Sequence, residues 1–530
     1  MELSNRWKWN TRQVETWVTY PVLTALVLIS LQGCNDASSN CELNLTCSVG
    51  ASEGGSSTAT TGESTSSSTT SVAAQCVPSQ VTSAVENSCG VFVSYAGDDM
   101  TGDGTKEKPF ATFTKAMTKG TSVYACADAA KVYAEAVVVG QAGIFMFGGL
   151  NCDTWTYSPD TKSTVEGPKG EVPLKISGDG TLTIEDFSIK AQDAPEIGAG
   201  TFSEGRSSVA VVAEGGTSLD MARCDLTAGN GSAGAPGEPP MGTGTQGPDG
   251  MNGADGCING TTTVGADGGQ NTCDLIDASG GLGGSGTKNA SGGAGGQGQP
   301  AGATAAGGLG QTSQITCDTG GNGGNGLVGL PGDPGKGAPD NLPGSLTVSG
   351  IAGPRGMDGA PGQVGQGGGG GGGAKQCTNI ANAGPSGGGG GAGGCGGAGG
   401  KGGYAGGASI GIVSLSATLQ FENVKIIVAA GGSGGGGASG QEGGPGGKGG
   451  NPGTGDASAI ACKGGNGGAG GAGGRGGGGR GGHAVGIAHT GSEPPIAGVT
   501  FTSGWPGAGG LGQGSEGHGS LGLVQNVLVF

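Results

Sequence analysis

Between Thr418 and Gly437 the chain reads TLQFENVKIIVAAGGSGGGG, and the change halfway through narrows what it can fold into. The first half alternates apolar and polar residues, the pattern of a half-buried strand. The second half is almost entirely glycine, which weakens a strand interior and loses more conformational freedom on folding than any other residue. Glycine supplies 132 of the 530 residues without a chain-long G-X-Y period, a composition that alone reads as low complexity. The strands between the glycines contradict so simple a reading.

Four stretches share one pattern: IEDFSIKA from Ile184, MARCDLTA from Met221, FENVKIIV from Phe421 and IAGVTFTS from Ile496. Each is apolar, two residues, apolar, any, apolar, so period-two alternation breaks at the same place every time. Asp186, Asn423 and Gly498 occupy the break and tolerate a left-handed bend; Arg223 is the exception in residue type. A second pattern, small-apolar-small-apolar-apolar, appears in SVAVV from Ser208, SIGIV from Ser409, AVGIA from Ala484 and SLGLV from Ser520. The two alternate in a fixed order with a period in the low twenties. That is an all-β chain whose repeats read as rungs of a parallel β-helix.

The three long glycine blocks, 229–407, 431–483 and 504–519, each begin after the corner motif and end before the small-apolar motif. Insertions at one point of a repeat emerge on one side of a solenoid. Within them GIAGPRGMDGAPGQVGQGG and GTQGPDGMNGADG keep glycine at every third place, a collagen-like spacing. The blocks are therefore expected either as polyproline-II-type passes packed side by side or as disordered chain. Cys257, Cys273, Cys317, Cys377, Cys395 and Cys462 favour order, since disulfides would staple adjacent passes.

The remaining composition bounds the compartment. A formal charge of −17 argues against nucleic acid, which needs a basic face. Fourteen dispersed cysteines suit an oxidising compartment. Arg6, Lys8 and Arg12 precede the apolar stretch PVLTALVLISL, which has signal-peptide length and is too short to span a bilayer comfortably. The LQGC that follows resembles the lipobox of bacterial lipoproteins, which implies lipid attachment at Cys34. By the same analogy Asn35 points to the outer membrane. A Gly/Ser/Thr-rich tether follows, in which Cys41 and Cys47 can close a small disulfide loop.

VFVSYAGDDMTGDGTKEKPFATFTKAMTKG, from Val91 to Gly120, reads as a strand, an acidic turn and a short helix from about Pro109. Phe110, Phe113, Ala116 and Met117 would give that helix an apolar face to seal the end of the core. With VYACADAAKVYAEAVVV, this stretch resembles the opening of a bacterial pectin-lyase-like β-helix domain of unassigned function. FGGLNCDTWTYS, EDFSIKAQDA and CDLTAGNGSAGAPG resemble glycine-rich lipoproteins of myxobacterial type, often labelled PE-PGRS-like. The likeness implies a right-handed parallel β-helix and a Cys126–Cys152 pairing, and implies no activity. Cys76 and Cys89 complete the disulfide candidates.

The expected organisation is a lipoprotein signal peptide at 1–33, a lipid-attached tether at 34–75, and a cap with the first rungs at 76–228. Rungs follow at 408–430 and 484–503, with a terminal strand at 520–530 and the glycine blocks between. No catalytic residue is expected. GHG at Gly517–Gly519 and the Asp98–Asp99 pair echo polygalacturonase-type hydrolases, but they lie in different parts of the chain. Asp179, Glu185, Asp186 and Asp220 read as solvated corner residues, and His483, His489 and His518 form no nucleophile or zinc motif. GGNGGNGLV, with Asn325, matches a single copy of a stacked Ca²⁺-binding repeat. The turn with Asp98, Asp99 and Asp103 is a weak Ca²⁺ candidate; local hydrogen bonding is its preferred role. No other cofactor is expected. The reading is a lipid-anchored cell-envelope protein with a structural or adhesive role, not an enzyme. Its expected partners are the membrane, through the lipid, and an extracellular polysaccharide or cell-surface protein. The alternative is a polysaccharide-binding or polysaccharide-degrading β-helix protein, which would need carboxylates and a Lys or Arg on adjacent rungs.

Overall fold

A computed structural model describes residues 72–258, 262–288, 290–312, 316–378, 381–456 and 459–530. The signal peptide, Cys34, Cys41, Cys47 and nearly all of the tether lie outside the described residues. Three six-stranded sheets dominate the fold, and every pairing within them is parallel. The first holds Val91–Val93, Ser122–Ala127, Ile144–Asn151, Thr181–Glu185, Ser218–Ala222 and Thr418–Glu422 in spatial order. The second holds Tyr133–Ala134, Ser163–Glu166, Phe187–Lys190, Asp225–Ala228, Val424–Val428 and Val499–Thr502. The third holds Val137–Val139, Leu174–Ile176, Ser208–Ala213, Ser409–Leu415, Ala484–Thr490 and Val524–Val529. From Ser122 onward the chain visits first, second and third sheet in rotation, and its last circuit has no first-sheet strand.

Register follows the sequence repeats. Ile184 lies beside Met221 and Met221 beside Phe421, while Ser188, Asp225, Lys425 and Thr500 form a row in the second sheet. The left-handed corner is real at all four units: φ is 60° at Asp186, 54° at Arg223, 53° at Asn423 and 76° at Gly498. Arg223 thus keeps the rule by conformation while breaking it by residue type. A non-glycine residue there costs roughly 1–2 kcal/mol. Its side chain gains compensating contacts, described below. Past each corner Phe187, Cys224 and Val424 turn into the core. Stacked columns such as Val211, Ile412, Ile487 and Val527 fill the space between the sheets.

Two boundaries differ from expectation. The helix is Phe113–Met117, starting four residues later than Pro109, because Thr112 caps it by accepting the Lys115 N–H at 3.1 Å. Pro109 and Phe110 run extended instead, with Phe110 bridged to Val93. The final strand is Val524–Val529, and it is Val524, not Ser520, that aligns with Ala484. SLGLV mimics the strand motif, but Gly519 and Gly522 continue the three-residue glycine spacing, and their α-carbons face Gly479 O and Gly482 O.

All three glycine blocks leave the second sheet and return to the third at the same corner. Inside them the described chain makes extended passes joined by backbone hydrogen bonds at every third residue. Gly391, Gly394, Gly397 and Gly400 donate to Gly465, Gly468, Gly471 and Gly474 of a parallel pass at 2.9–3.0 Å. Gly365, Gly362 and Gly359 donate to Gly394, Gly397 and Gly400 of an antiparallel one at 2.8–2.9 Å. Because these bonds and the close contacts recur at every third residue, each of the three residue positions faces its own neighbour. Glycine content therefore reports how many faces are covered. Outer passes have one glycine in three, as at Gly323, Gly326, Gly329, Gly332 and Gly335. The pass through 387–403 has two, leaving a third row of Gly389, Ala392, Cys395, Ala398 and Lys401. In the all-glycine run, a Cβ on Gly367, Gly368 or Gly369 would lie 2.1–2.2 Å from Ser279 O, Gly465 O or Ala306 O, three different neighbours.

Disulfides Cys257–Cys377, Cys273–Cys395 and Cys317–Cys462 join passes 120, 122 and 145 residues apart in sequence. In the chain-entropy account, loops that long make each worth up to about 5 kcal/mol. Cys76–Cys89 and Cys126–Cys152 are bonded in the cap, and Cys224 is a buried free thiol.

A Cβ at Gly391 would sit 2.2 Å from Gly447 O, whereas one at Gly140 meets nothing within 4 Å. Gly391→Ala is expected to cost about 1–3 kcal/mol or more by overpacking. Gly140→Ala should stay within roughly 0.5 kcal/mol of wild type. Chemical denaturation of the two variants checks the difference.

Candidate functional site

The outward side chains of the first sheet form rows that cross its strands. Phe92, Tyr124, Phe147 and Glu185 make one row, with ring centroids 5.2 Å apart for Phe92–Tyr124 and 5.3 Å for Tyr124–Phe147. The next row is Phe145, Thr183, Asp220 and Gln420. The segment cross-linked by Cys76–Cys89 covers the aromatic end: Tyr124 Oη donates to Cys76 O at 2.7 Å, and Val85 N–H donates to Trp155 O. Where that cover stops, a cleft of about 600 Å³ opens, lined by Val72, Val77, Phe145, Thr181, Thr183, Glu185 and Asp220.

At the corner beside the cleft lies a charged cluster. Arg223 Nε donates to Asp186 Oδ1 and its Nη2 to Asp186 Oδ2, both at 3.0 Å, and Nη2 also meets Glu185 Oε2. Asp186 is 3% exposed. Burial works against the Arg223 charge, but hydrogen bonds and attraction from Asp186 and Glu185 outweigh it and raise its pKa. Ser79 Oγ also donates to Glu185. Expecting Glu185 and Asp186 as solvated corner residues therefore missed their role: the left-handed corners of neighbouring strands stack, which sets Arg223 beside the acidic corner at 185–186. Its signal was Arg223 in a corner place held elsewhere by Asp, Asn and Gly. Asp220, on the cleft floor, has its pKa raised by burial and then by Glu422. Asp179 is exposed on a turn.

Carboxylates and an arginine thus do come together at the corners of adjacent strand pairs. The guanidinium is committed to two carboxylates, so it positions charge and does not stand free as a base. Phe145, Thr183, Asp220 and Gln420 stand on successive strands about 4.8 Å apart, so this row offers one aromatic, one hydroxyl, one carboxylate and one amide group in turn.

Asp98 Oδ1 accepts from Met100 and Thr101 N–H, Asp103 Oδ1 from Thr105 N–H and Oγ1, and Asp99 from Ala111 and Thr112. These are turn and cap bonds, and they depress the pKa values of Asp98 and Asp103. The one set of potential metal-ligating groups among the described residues is Cys257, Cys377 and Asp456, where both sulfurs are already in a disulfide. Asn325 Oδ1 accepts Asn466 N–H at 2.9 Å and Asn322 Oδ1 accepts Lys463 N–H at 3.0 Å, so the GGNGGN stretch latches two passes together. Asp249, Asn252 and Asp255 latch Lys448, Asn451 and Thr454 in the same way. His483 is buried, with Nε2 2.9 Å from Pro343 O while Nδ1 accepts Leu523 N–H at 2.8 Å; burial lowers its pKa. His518 Nδ1 accepts from Gly512 N–H. Among the described residues no helix is long and apolar enough to cross a membrane.

Arg223→Ala would leave the Asp186 carboxylate buried without its fork of donors, at a cost of about 1–3 kcal/mol, and Arg223→Lys should not restore the fork. Denaturant titration of both checks this. Because the folded state holds the Asp220 proton more tightly than the unfolded chain does, this group's contribution to stability falls as pH rises above 3.8. Asp220→Asn is expected to be neutral or stabilising at neutral pH and to converge on wild type in acid, as read from thermal melts across pH.

A scan against protein-family models, a search of curated proteins and a search of solved structures each found no match for this chain.

Proposed function

We propose that this is a lipid-anchored cell-envelope protein with a structural or adhesive role, related to the glycine-rich myxobacterial-type lipoproteins. In this reading the three sheets form a right-handed parallel β-helix. The glycine blocks form a bundle of polyproline-II-type passes on one side of it, and lipid on Cys34 holds both at the outer membrane. The supporting observation is the bundle itself, in which main chains pack against main chains at distances no side chain tolerates. Such packing yields a stiff body whose non-glycine residues are displayed in rows, a use that needs no reaction centre. Three disulfides across the bundle suit an oxidising envelope.

The cleft on the first sheet favours a second reading, a polysaccharide-binding or polysaccharide-degrading protein, with Phe145, Thr183 and Asp220 as contacts. One experiment separates the two. Cells expressing the wild type or Cys34→Ser are treated with external protease and fractionated, and the purified oxidised chain is tested on a polysaccharide panel with and without Ca²⁺. The proposal expects a surface-accessible, membrane-bound wild type, a released Cys34→Ser variant and no new sugar ends. Released unsaturated or reducing ends would make the protein an enzyme. Retention without turnover, lost in Asp220→Ala, would assign the cleft to glycan binding.

A further inference from the structure

The edges of the three sheets are not equally protected. At the N-terminal end the Phe113–Met117 helix packs Phe113 and Ala116 into the core. At the other end, the first sheet stops at Thr418–Glu422. The segment that runs past this edge, from Gly491 beside Ser416 to Gly498 beside Asn423, carries Pro494 and Pro495, which cannot donate to a ladder. The second sheet ends on a four-residue strand, Val499–Thr502. The third ends on Val524–Val529, six residues without proline, which pair with Ala484–Thr490 on one side and with no strand on the other among the described residues.

Two apolar columns of the third sheet run out at that strand. Val211, Ile412, Ile487 and Val527 belong to the main core. Val212, Val413, Ala488 and Leu528 belong to a second cluster on the opposite face, roofed by Ile351 and Leu346. Val527 and Leu528 are only partly buried, and Val524 and Val529 are 39% and 61% exposed. A long uncharged edge of this kind is what soluble proteins normally blunt with lysine, proline or a bulge.

Charge indicates what covers it. The chain carries 41 acidic against 24 basic residues, so copies repel over most of their surface. Neither Ala484–Thr490 nor Val524–Phe530 contains Asp, Glu, Lys or Arg. Along these two strands identical copies can meet without opposing like charges.

We propose that two copies pair tail to tail through Val524–Val529. A twofold axis through the edge makes the new pair antiparallel, and a register centred between Asn526 and Val527 sets Val524 against Val529 of the second copy. Val524 and Val529 then cover each other at both ends of the junction, Gln525 meets Leu528, Asn526 meets Val527, and two six-stranded sheets become one.

The test uses the full chain carrying Cys34→Ser, so that no lipid drives association. Sedimentation velocity over a range of concentrations should show a dimer. Val524→Lys with Val529→Lys places lysine against lysine twice and should weaken dimerisation roughly tenfold or more. Val524→Lys with Val529→Glu places Lys against Glu in the antiparallel register and should restore it. A monomeric parent, or a dimer indifferent to the lysine pair, overturns the proposal. So does failure of the Lys/Glu variant to recover. Should the lysine pair not fold, hydrogen exchange on the parent decides: protection of the 524–529 amides must rise with protein concentration, and concentration-independent protection overturns the proposal.

Discussion

The glycine bundle rests on one contact, a backbone N–H donating to a carbonyl of a neighbouring pass whose α-carbon comes too near for any side chain. Each such bond contributes only about 1 kcal/mol net. The geometry repeats every third residue, so each pass is tied to its neighbours along its length. Glycine is entropically the worst residue to order. Here it is also the one residue that permits the bonds, and the disulfides between passes limit how much freedom the unfolded chain can regain.

The strand-built part depends on a different device, a left-handed residue between the first and second sheets. That corner turns the next side chain into the core and sets the register of both adjoining strands. Because it recurs at Asp186, Arg223, Asn423 and Gly498, it stacks the corner side chains as well. The Arg223 fork on Asp186 follows directly from that stacking. A backbone constraint thus creates the most polar cluster near the cleft, and the same constraint leaves Arg223 occupied with structure.

The bundle and the sheets are coupled at one corner. Every glycine block departs from the second sheet and re-enters at the third, so each block is anchored at both ends by strands of fixed register. Arg480 and His483 strengthen the return. Arg480 is fully buried and donates to Leu342 O and Leu521 O, while His483 ties Pro343 to Leu523. These side chains hold the 338–354 excursion and the approach to the last strand against the same pass.

Much of this was legible in the chain. The corner motif read from Ile184, Met221, Phe421 and Ile496 matches the strand register, because strand pairing aligns equivalent positions and burial imposes the same apolar pattern on each. The excursion points were legible for the same reason. Glycine at every third place and the six cysteines in the blocks pointed to packed passes but left disordered chain open; the backbone bonds between passes decide for packing. Sequence could not say which pass lies beside which, because one glycine face resembles another. The pairing of Cys257 with Cys377, and of Cys273 with Cys395, is settled only once the passes are in place. The start of the last strand was misread because SLGLV fits two periods at once, and only the neighbouring Gly482 decides between them. Local chemistry sets the period of each segment; the partner that fills each face, including the carboxylates around Arg223, exists only in three dimensions.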